Sequence, residues 1–518
     1  MIGRLLGTPF GRGAVAGLLG ALAMLGLRPF LDTPSLQELI VERLLILMGA
    51  DVFNLVLQQV WTLGKTLGVI GTTFLVALCG GFISLAFLRA KTALPQSIAA
   101  LPLALALGFG IGLWLLTNLA LLPLLGWGFA GSGVPGPAWH LQLGLLLGFL
   151  VYGIALDWFF LDRTPTLVQA PESVSRRIFV TRSAGWLVAA LAVAGGLRFL
   201  VSTTAHGLTT LARIRSEPTE MPSEITPTKN FYSVTKNLID PDVAESSWRL
   251  QVGGQVDAPY ALTVSDLRSL PSVEQAVTLE CIENPVGGHL ISNASWTGVR
   301  LRNILERARV QPSVARITFS SADGYEESLA VEDAMKPEVL VAYAMNGESL
   351  PRKHGFPARL IIPGRYGMKN IKWLEKISTT GDLAYRGYWG QRGWDNDAYV
   401  RTTSQIAIPT SLGEIIVGEV VQTGGIAYSG DRGIFRVEFS YDGGETWQEA
   451  TLAPALSPYS WVLWTTQWAP KLDARTTIKV RAIDGKGERQ IEEEMEAPPA
   501  GTTGLHTRVL FNVKSMQG

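Results

Sequence analysis

The sequence predicts a multidomain protein with an N-terminal α-helical membrane bundle, a central α+β domain and a C-terminal β-sandwich. Three observations lead to this fold class. The chain has 518 residues, enough for about three domains. Its hydrophobic residues, 47% of the total, are concentrated near the N-terminus. Helix-like and strand-like segments then mix irregularly up to residue 400, whereas short strands dominate after it.

The composition excludes several classes of protein. The 44 basic and 44 acidic residues give a net charge of zero, so no general affinity for nucleic acid is expected. The two cysteines are Cys79 and Cys281, and no CxxC motif occurs. A disulfide framework, a zinc or iron–sulfur site and a covalently attached haem are therefore excluded.

Residues 1–205 are predicted to be a membrane domain. Five apolar runs approach the length of about 20 residues that a spanning helix needs. They lie at 11–30, 66–88, 98–124, 141–161 and 182–201. The segment 35–60 is amphipathic and is predicted to lie at the membrane interface, with a sixth span as the alternative.

The basic residues in the connections predict the orientation. They precede the first span, follow the second and lie between the fourth and fifth, whereas the 125–140 connection has none. The positive-inside rule then places the N-terminus in the cytoplasm and the chain after about residue 201 outside it. Residues 175–180, SRRIFV, also resemble a twin-arginine export signal, which would place the protein in a prokaryotic plasma membrane. Ordinary positive-inside charge is the alternative.

The rest of the chain is divided into a linker and two domains. Residues 206–229 are rich in Pro, Ser, Thr and Glu and are predicted to be a solvated linker. Residues 230–400 are predicted to be mixed α+β, with strands at 248–252 and 317–320 and helices at 264–270 and 299–308. Residues 401–518 are predicted to form a sandwich with strands at 413–421, 433–441, 460–467, 475–483 and 507–513.

Cys281 is the candidate metal ligand or nucleophile. The short β-branched run Ala276–Leu279 predicts a buried strand that ends just before it. The loop signals Asn284-Pro285 and Gly287-Gly288 follow. A thiol at a strand end above such a loop is well placed to bind a metal. A buried core thiol is the alternative.

Three segments around and after this cysteine resemble the molybdenum-cofactor domain of the sulfite oxidase family. They are Cys281 with ISNASWTGVRL at 291–301, MNGESLPRKHGFPAR at 345–359, and IPGRYGMKNIKW at 362–373. The segments at 427–430 and 437–447 resemble the immunoglobulin-like dimerisation domain of the same family. The resemblance implies a sulfite-oxidase-type molybdopterin domain, a molybdenum–molybdopterin cofactor, and Cys281 as the thiolate ligand of the metal.

The resemblance also implies the pterin contacts. His354, Arg359, Asn370, Ile371 and Lys372 match the family, and Asn230, Ser233, Val234 and Ser321 match related periplasmic methionine-sulfoxide reductases. The residues themselves indicate a phosphate site, because Arg359, Arg365, Lys369 and Lys372 interrupt an apolar strand pair. A solvated basic face is the alternative.

The sequence departs from the family around the substrate. Asn284 is followed by Pro285 where sulfite oxidases have an arginine, and 233–235 has no arginine either. Sulfite is therefore disfavoured as the substrate. Tyr388 and Trp394 compete for the position of the active-site tyrosine, and Arg365 is a further catalytic candidate.

These features together predict a membrane-anchored molybdopterin oxidoreductase that transfers an oxygen atom in two-electron steps outside the cytoplasm. Its expected partners are membrane lipid, a small-molecule substrate, a separate cytochrome or quinone system and a second copy of the chain. The alternatives are a metal-free membrane-bound binding or adhesion module, and a transporter with an accessory external domain.

Overall fold

The computed structural model describes residues 7–31, 33–47, 50–93, 102–134, 137–160, 190–191, 193–202, 204, 220–237, 240–411, 414–470 and 475–513. The chain divides into two compact units, Met1–Leu211 and Ala212–Gly518.

The described part of the first unit is helical. Its helices are α1 (Pro9–Leu31), α2 (Leu36–Leu47), α3 (Ala50–Ala93), α4 (Pro102–Leu116), α5 (Ala138–Phe160) and the shorter apolar α6 (Val193–Ser202). α4 continues through a π-helical turn, Thr117–Leu121, and a last turn, Leu122–Leu124. Small residues let α1 and α3 approach closely: a Cβ on Gly80 would lie 2.8 Å from the Cα of Gly17.

Four helices in the described residues are long and apolar enough to cross a membrane: Pro9–Leu31, Leu67–Arg89, Ala104–Leu124 and Ala138–Phe160. They coincide with the first four predicted spans. The predicted fifth span, 182–201, lies partly outside the described residues, and the segment 175–180 lies entirely outside them.

The 35–60 segment is divided between α2 and the start of α3. α2 has 12 residues, too short for a span. It begins with a capping box, in which Ser35 N–H donates to the carboxylate of Glu38 at 2.7 Å. The same carboxylate accepts from Arg28 Nε at 2.6 Å, and both side chains are buried inside the helical unit.

The central part of the second unit contains two sheets. The first has the strand order β2-β1-β10-β5-β6, with β1 parallel to β10 and the other pairs antiparallel. Its strands are β1 (Leu250–Val252), β2 (Tyr260–Leu262), β5 (Arg316–Ser321), β6 (Glu326–Ala330) and β10 (Leu374–Thr380). The helices α7 (Val264–Ser269), α8 (Leu301–Ala308) and α9 (Val331–Ala334) complete this part.

The second sheet carries the cysteine. It has the order β3-β4-β7-β8, with β9 paired to β7, and is antiparallel throughout. Its strands are β3 (Ser272–Glu280), β4 (Ile291–Arg300), β7 (Leu340–Met345), β8 (Glu348–Ser349) and β9 (Arg359–Ile361). The predicted helix at 299–308 begins only at Leu301, because Val299 and Arg300 continue the ladder of β4 with β7.

The C-terminal part is a β-sandwich, as predicted. One sheet has the order β11-β13-β17-β16 and the other β12-β19-β18-β14-β15. The strands are β11 (Thr403–Ile408), β12 (Glu414–Ile416), β13 (Val421–Tyr428), β14 (Ile434–Ser440), β15 (Gln448–Glu449), β16 (Thr451–Leu452), β17 (Val462–Trp468), β18 (Arg475–Asp484) and β19 (Thr507–Val513).

The predicted strand 413–421 is wrong as a single element. The chain turns at Gly418, which has a φ of +83°, so β12 and β13 lie in different sheets. β11 is not among the strands predicted from the sequence. This strand packs so closely on β13 that a Cβ on Gly425 would lie 1.8 Å from the carbonyl oxygen of Gln405.

The described end of the predicted linker, residues 220–229, is hydrogen-bonded to the rest of the second unit. Asn293 Nδ2 on β4 and Trp461 Nε1 both donate to the carbonyl of Glu224, at 2.8 and 3.0 Å. Residues 220–229 are therefore not a free solvated segment, because backbone groups of Glu224 and Thr226 are paired with the central part, and the carbonyl of Glu224 also with the sandwich.

Candidate functional site

Cys281 follows directly after β3 and is buried, with 8% of its surface exposed. Its N–H donates to the carbonyl of Leu290 at 2.9 Å, and its own carbonyl accepts from the N–H of Asn284 at 2.9 Å. The Asn284 side chain spans the loop by accepting from Leu290 N and donating to Glu280 Oε1, both at 2.9 Å. The loop thus holds the thiol in one place at the strand end.

The surroundings of the thiol disfavour a bare thiolate. Burial, with the carboxylates of Glu283 and Glu280 nearby, raises the pKa of Cys281 above that of an ordinary thiol. Burial also raises the pKa of Glu280 to about 8. Glu280 Oε2 has no hydrogen-bond partner among the described residues. A thiolate at Cys281 therefore needs a bound cation beside it.

Arg359, the first residue of β9, is a buried cation that has no counter-ion among the residues that the structure describes. It is 4% exposed and lies over the ring of Trp296 at 4.9 Å. Its terminal nitrogens donate to the carbonyls of His354 and Asn370 at 3.1 and 2.9 Å, while Nε has no partner in the described part of the chain. No described carboxylate forms an ion pair with it, and burial lowers its pKa to about 10.

Lys372 and His354 lie beside Arg359. Burial lowers the pKa of Lys372 to about 8, and its Nζ donates to the carbonyl of Lys353 at 3.2 Å. Burial, with help from Arg359, lowers the pKa of His354 to about 3, so its imidazole is neutral. His354 Nε2 lies 3.3 Å from the carbonyl of Thr228, which makes this nitrogen the donor.

These groups fit the implied cofactor. An anionic ligand would compensate the buried charge of Arg359, satisfy its Nε and use the positive charge of Lys372. A metal cation carried by the same anionic cofactor would stabilise Cys281 in its thiolate form.

Two predicted cations are turned away from this site. Arg365 donates to the carbonyl of Asp397 at 2.8 Å and forms an ion pair with Asp333. Lys369 Nζ lies 2.5 Å from Glu327 Oε2. The prediction that four basic residues converge on phosphate is therefore wrong for Arg365 and Lys369, because the half-buried carboxylate of Asp333 and the buried carboxylate of Glu327 already pair with them.

The remaining predicted pterin residues lie on the segments around Arg359 and Lys372. Asn370 braces the turn before Ile371: its Oδ1 accepts from Ile362 N at 2.7 Å, and its backbone carbonyl binds Arg359. Ser233 Oγ donates to the carbonyl of Lys353, the same carbonyl that Lys372 binds. Of the others, Asn230 is exposed, Val234 is half-buried, and Ser321 bonds within its own turn to Asp323 and Tyr325.

Tyr388 lies between two cations. Its ring centre is 3.5 Å from the guanidinium of Arg392 and 5.8 Å from Lys236 Nζ. Trp394, its competitor, is buried, and its Nε1 has no hydrogen-bond partner in the described part of the chain. The Nε of Arg392 has none there either. The segment therefore presents two unsatisfied N–H donors beside the aromatic rings.

Four residues of this region are absent from the sequence-based predictions. Lys236 directly follows residues 233–235, which lack the family's early arginine, and its positive charge is the signal for it in the sequence. Arg392 lies between the two aromatic candidates in YRGYWGQRGW. Glu280 and Tyr232 carried no signal, since a strand-end glutamate and a lone tyrosine have many structural uses. Tyr232 is identified by its position: it is buried close enough to Cys281 and Arg359 for both to act on its pKa, which burial raises.

Comparison with known proteins gives the family. The family model described as "Oxidoreductase molybdopterin binding domain" matches residues 237–389. The model described as "Mo-co oxidoreductase dimerisation domain" matches residues 398–514. Sulfite oxidase of Gallus gallus is 30% identical over 315 residues, which cover 52% of this chain and 68% of that protein. Sulfite oxidase of Arabidopsis thaliana is 31% identical over 277 residues, covering 44% and 70%.

Mitochondrial sulfite oxidase of Mus musculus is 32% identical over 319 residues, and the chain spans only 58% of its length. Among solved structures, the sulfane dehydrogenase SoxCD from Paracoccus pantotrophus superposes with a TM-score of 0.50 at 22% identity, covering 56% of this chain and 83% of that one. This likeness shows the shared fold. From the matched domains and the two sulfite oxidases covered over more than two thirds of their length, the chain belongs to the sulfite oxidase family of molybdopterin-binding oxidoreductases.

Proposed function

We propose that the protein is a membrane-anchored molybdenum oxidoreductase that transfers an oxygen atom to or from a small substrate outside the cytoplasm. The observation that carries the proposal is Arg359, a buried guanidinium with no described counter-ion, on the sheet whose strand β3 ends at Cys281. A core that buries an unpaired charge loses stability unless a ligand compensates it.

The candidate residues are proposed to bind different parts of the cofactor. Cys281 would hold molybdenum, and Arg359, Lys372 and His354 would hold the pterin and its phosphate. When bound, the cofactor supplies two-electron oxygen-atom chemistry. The loop braced by Asn284 fixes the position of the thiol. The neutral imidazole of His354 adds no charge, so that the phosphate is bound by the arginine and the lysine.

The residues around Tyr388 favour a substrate that carries a negative or strongly dipolar oxygen. Arg392 and Lys236 flank the ring, and the unsatisfied Nε of Arg392 and Nε1 of Trp394 are donors for such an oxygen. These cations occupy other positions than the arginines that the sequence comparison expected. Oxyanions, sulfoxides and N-oxides therefore belong in one substrate screen.

Electron exchange is proposed to use a separate cytochrome or quinone system. Among the described residues no group of three His, Cys, Asp or Glu side chains is arranged to hold a further metal. The four apolar helices among the described residues support anchoring in a membrane, and the twin-arginine-like segment 175–180 favours a prokaryotic plasma membrane. The dimerisation-type sandwich supports a homodimer.

The first experiment is the metal and pterin content of the full-length protein purified in detergent. The wild type is expected to contain about one molybdenum and one pterin per chain, and Cys281→Ala to lose or alter the metal. Cys79→Ala is the matched control, since Cys79 is exposed in the helical unit. A wild type without molybdenum and pterin, from a host that loads such enzymes, would refute the function and favour a metal-free binding module.

The location requires its own experiment. Arg176→Lys with Arg177→Lys is expected to leave the protein unexported while its synthesis continues, if residues 175–180 are a twin-arginine signal. Unchanged export, measured by protease protection in spheroplasts, would leave these arginines as ordinary positive-inside charge.

A further inference from the structure

Glu327 and Lys369 form a buried ion pair, although Lys369 is predicted from the sequence to contact phosphate. Both side chains are 1% exposed, and Lys369 Nζ lies 2.5 Å from Glu327 Oε2. Glu327 belongs to β6, whereas Lys369 belongs to the turn between Arg359 and Lys372, which is called here the cofactor-contact turn. The pair therefore connects the cofactor-contact turn to the first sheet of the central part.

The pair also contacts the segment that carries the aromatic candidates, defined here as the Tyr385–Asn396 segment. Lys369 Nζ donates to the backbone carbonyl of Asn396 at 2.7 Å. The Asn396 side chain in turn accepts from Gly387 N and donates to the carbonyl of Tyr385, both at 3.3 Å. Lys369 thus holds the C-terminal end of the segment in place, and the Asn396 side chain ties that end to the N-terminal end through its hydrogen bonds to Tyr385 and Gly387.

Glu327 holds the middle of the same segment. A Cβ on Gly387 would lie only 2.2 Å from Glu327 Oε2 and 2.5 Å from its Cδ. The backbone at Gly387 therefore rests directly on the carboxylate, and only glycine permits this approach. Tyr388, the next residue, is fixed by its N–H, which donates to the carbonyl of Glu326 at 2.8 Å.

Tyr325 completes the connection. Its hydroxyl lies 3.0 Å from Glu327 Oε1 and 2.8 Å from the carbonyl of Met368, and its ring centre lies 5.5 Å from that of Tyr388. The carboxylate of Glu327 thus has a partner on each oxygen, and each partner leads either to the cofactor-contact turn or to Tyr388.

We propose that the Glu327–Lys369 pair is a clamp that positions Tyr388 and its segment relative to the cofactor-contact turn. Neither residue of the pair is catalytic, since both are buried beneath the segments that they connect. The role of Tyr388 facing the substrate rests on the proposed function, whereas the clamp itself is a property of the protein chain and is tested separately.

The test is amide hydrogen exchange, measured by mass spectrometry on the full-length protein in detergent. In Glu327→Gln, exchange in peptides within 385–396 is expected to rise about tenfold or more, with sandwich peptides unchanged. Lys369→Met with Glu327→Leu removes both charges, so the protein keeps its stability while the anchor to Asn396 is lost. This double variant is expected to show the same local increase in exchange.

Gly387→Ala tests the clamp without altering either charge, because it lifts the segment from the carboxylate. It is expected to reproduce the faster exchange, whereas Gly253→Ala, where an added Cβ would meet nothing within 4 Å, is the matched control. On any oxyanion or sulfoxide probe that the wild type turns over, Gly387→Ala should lower kcat about tenfold at unchanged molybdenum content.

Wild-type exchange at 385–396 in both Glu327→Gln and Gly387→Ala would overturn the clamp. An equal rise throughout the central part in all three variants would overturn it too, because it would show a general loss of stability. Neither result changes the molybdenum content of the wild type, so failure of the clamp and failure of the proposed function are distinguishable.

Discussion

Replacing Arg359 with methionine should separate cofactor binding from folding. The guanidinium is buried, forms two hydrogen bonds to carbonyls and has no described carboxylate partner. Methionine keeps much of the volume against Trp296 but removes the charge and all the donors. The variant is therefore expected to fold and to lose the pterin.

The expected change in the stability of Arg359→Met follows from two opposing contributions. Two charge-assisted hydrogen bonds together stabilise the folded chain by about 3–6 kcal/mol. Burial lowers the pKa of Arg359 to about 10, and this displacement from the ordinary value of arginine is equivalent to about 3 kcal/mol against the charged form. The two contributions oppose each other, so the cofactor-free variant should be at most about 3 kcal/mol less stable than the cofactor-free wild type. An anionic cofactor, in contrast, loses a charged donor worth about 1.5–3 kcal/mol, or roughly tenfold to hundredfold in affinity.

Arg432→Met is the matched control, because this arginine has a carboxylate partner. Its Nε lies 2.7 Å from Oδ2 of Asp484, which is 0% exposed. Removing the arginine leaves that carboxylate buried, at a cost of about 3 kcal/mol or more. The control should therefore unfold at a lower temperature and keep its pterin.

The assay is thermal unfolding of both variants, prepared without cofactor, alongside pterin and molybdenum content of both prepared in a loading host. The reasoning is refuted if Arg359→Met destabilises the cofactor-free protein as much as Arg432→Met does. Wild-type pterin content in Arg359→Met would refute it as well.

Three further predictions concern pH, close backbone approach and the helical unit. The pKa of His354 is near 6.5 in the unfolded chain and about 3 in the folded chain, so the free energy of unfolding should fall as the pH drops between these values. The fall should be steeper in wild type than in His354→Gln by about 1.4 kcal/mol per pH unit, and parallel curves from denaturant titrations would contradict this. Gly298→Ala should lower the unfolding temperature strongly, because its Cβ would lie 2.4 Å from a carbonyl oxygen of the neighbouring strand, while Gly253→Ala should leave that temperature unchanged. Glu38→Gln should weaken the helical unit by about 3 kcal/mol, because Arg28 then stays buried and unpaired, and replacing both with leucine should restore stability; equal melting of the two variants in detergent would contradict the role of the pair.

Local patterns in the sequence predicted much of the architecture. The four described helices that are long and apolar enough to cross a membrane followed from runs of apolar residues of the length that a bilayer requires. The strand before Cys281 followed from its β-branched composition, although it extends over nine residues, Ser272–Glu280. The division of 413–428 between two sheets did not follow, because strand pairing depends on residues far away in sequence, such as Gln405 beside Gly425.

By itself the sequence predicted the order of the parts and singled out Cys281 as the candidate metal ligand, because both depend on residue type and local spacing. Its resemblance to the sulfite oxidase family supplied the list of candidate cofactor residues. Only the tertiary structure decided which cations are available to a ligand. Arg359, Arg365, Lys369 and Lys372 are equivalent as charges along the chain, but Arg365 and Lys369 are paired with Asp333 and Glu327. A buried charge is stabilised by whatever carboxylate the fold brings within about 3–4 Å, and that distance is absent from a linear pattern.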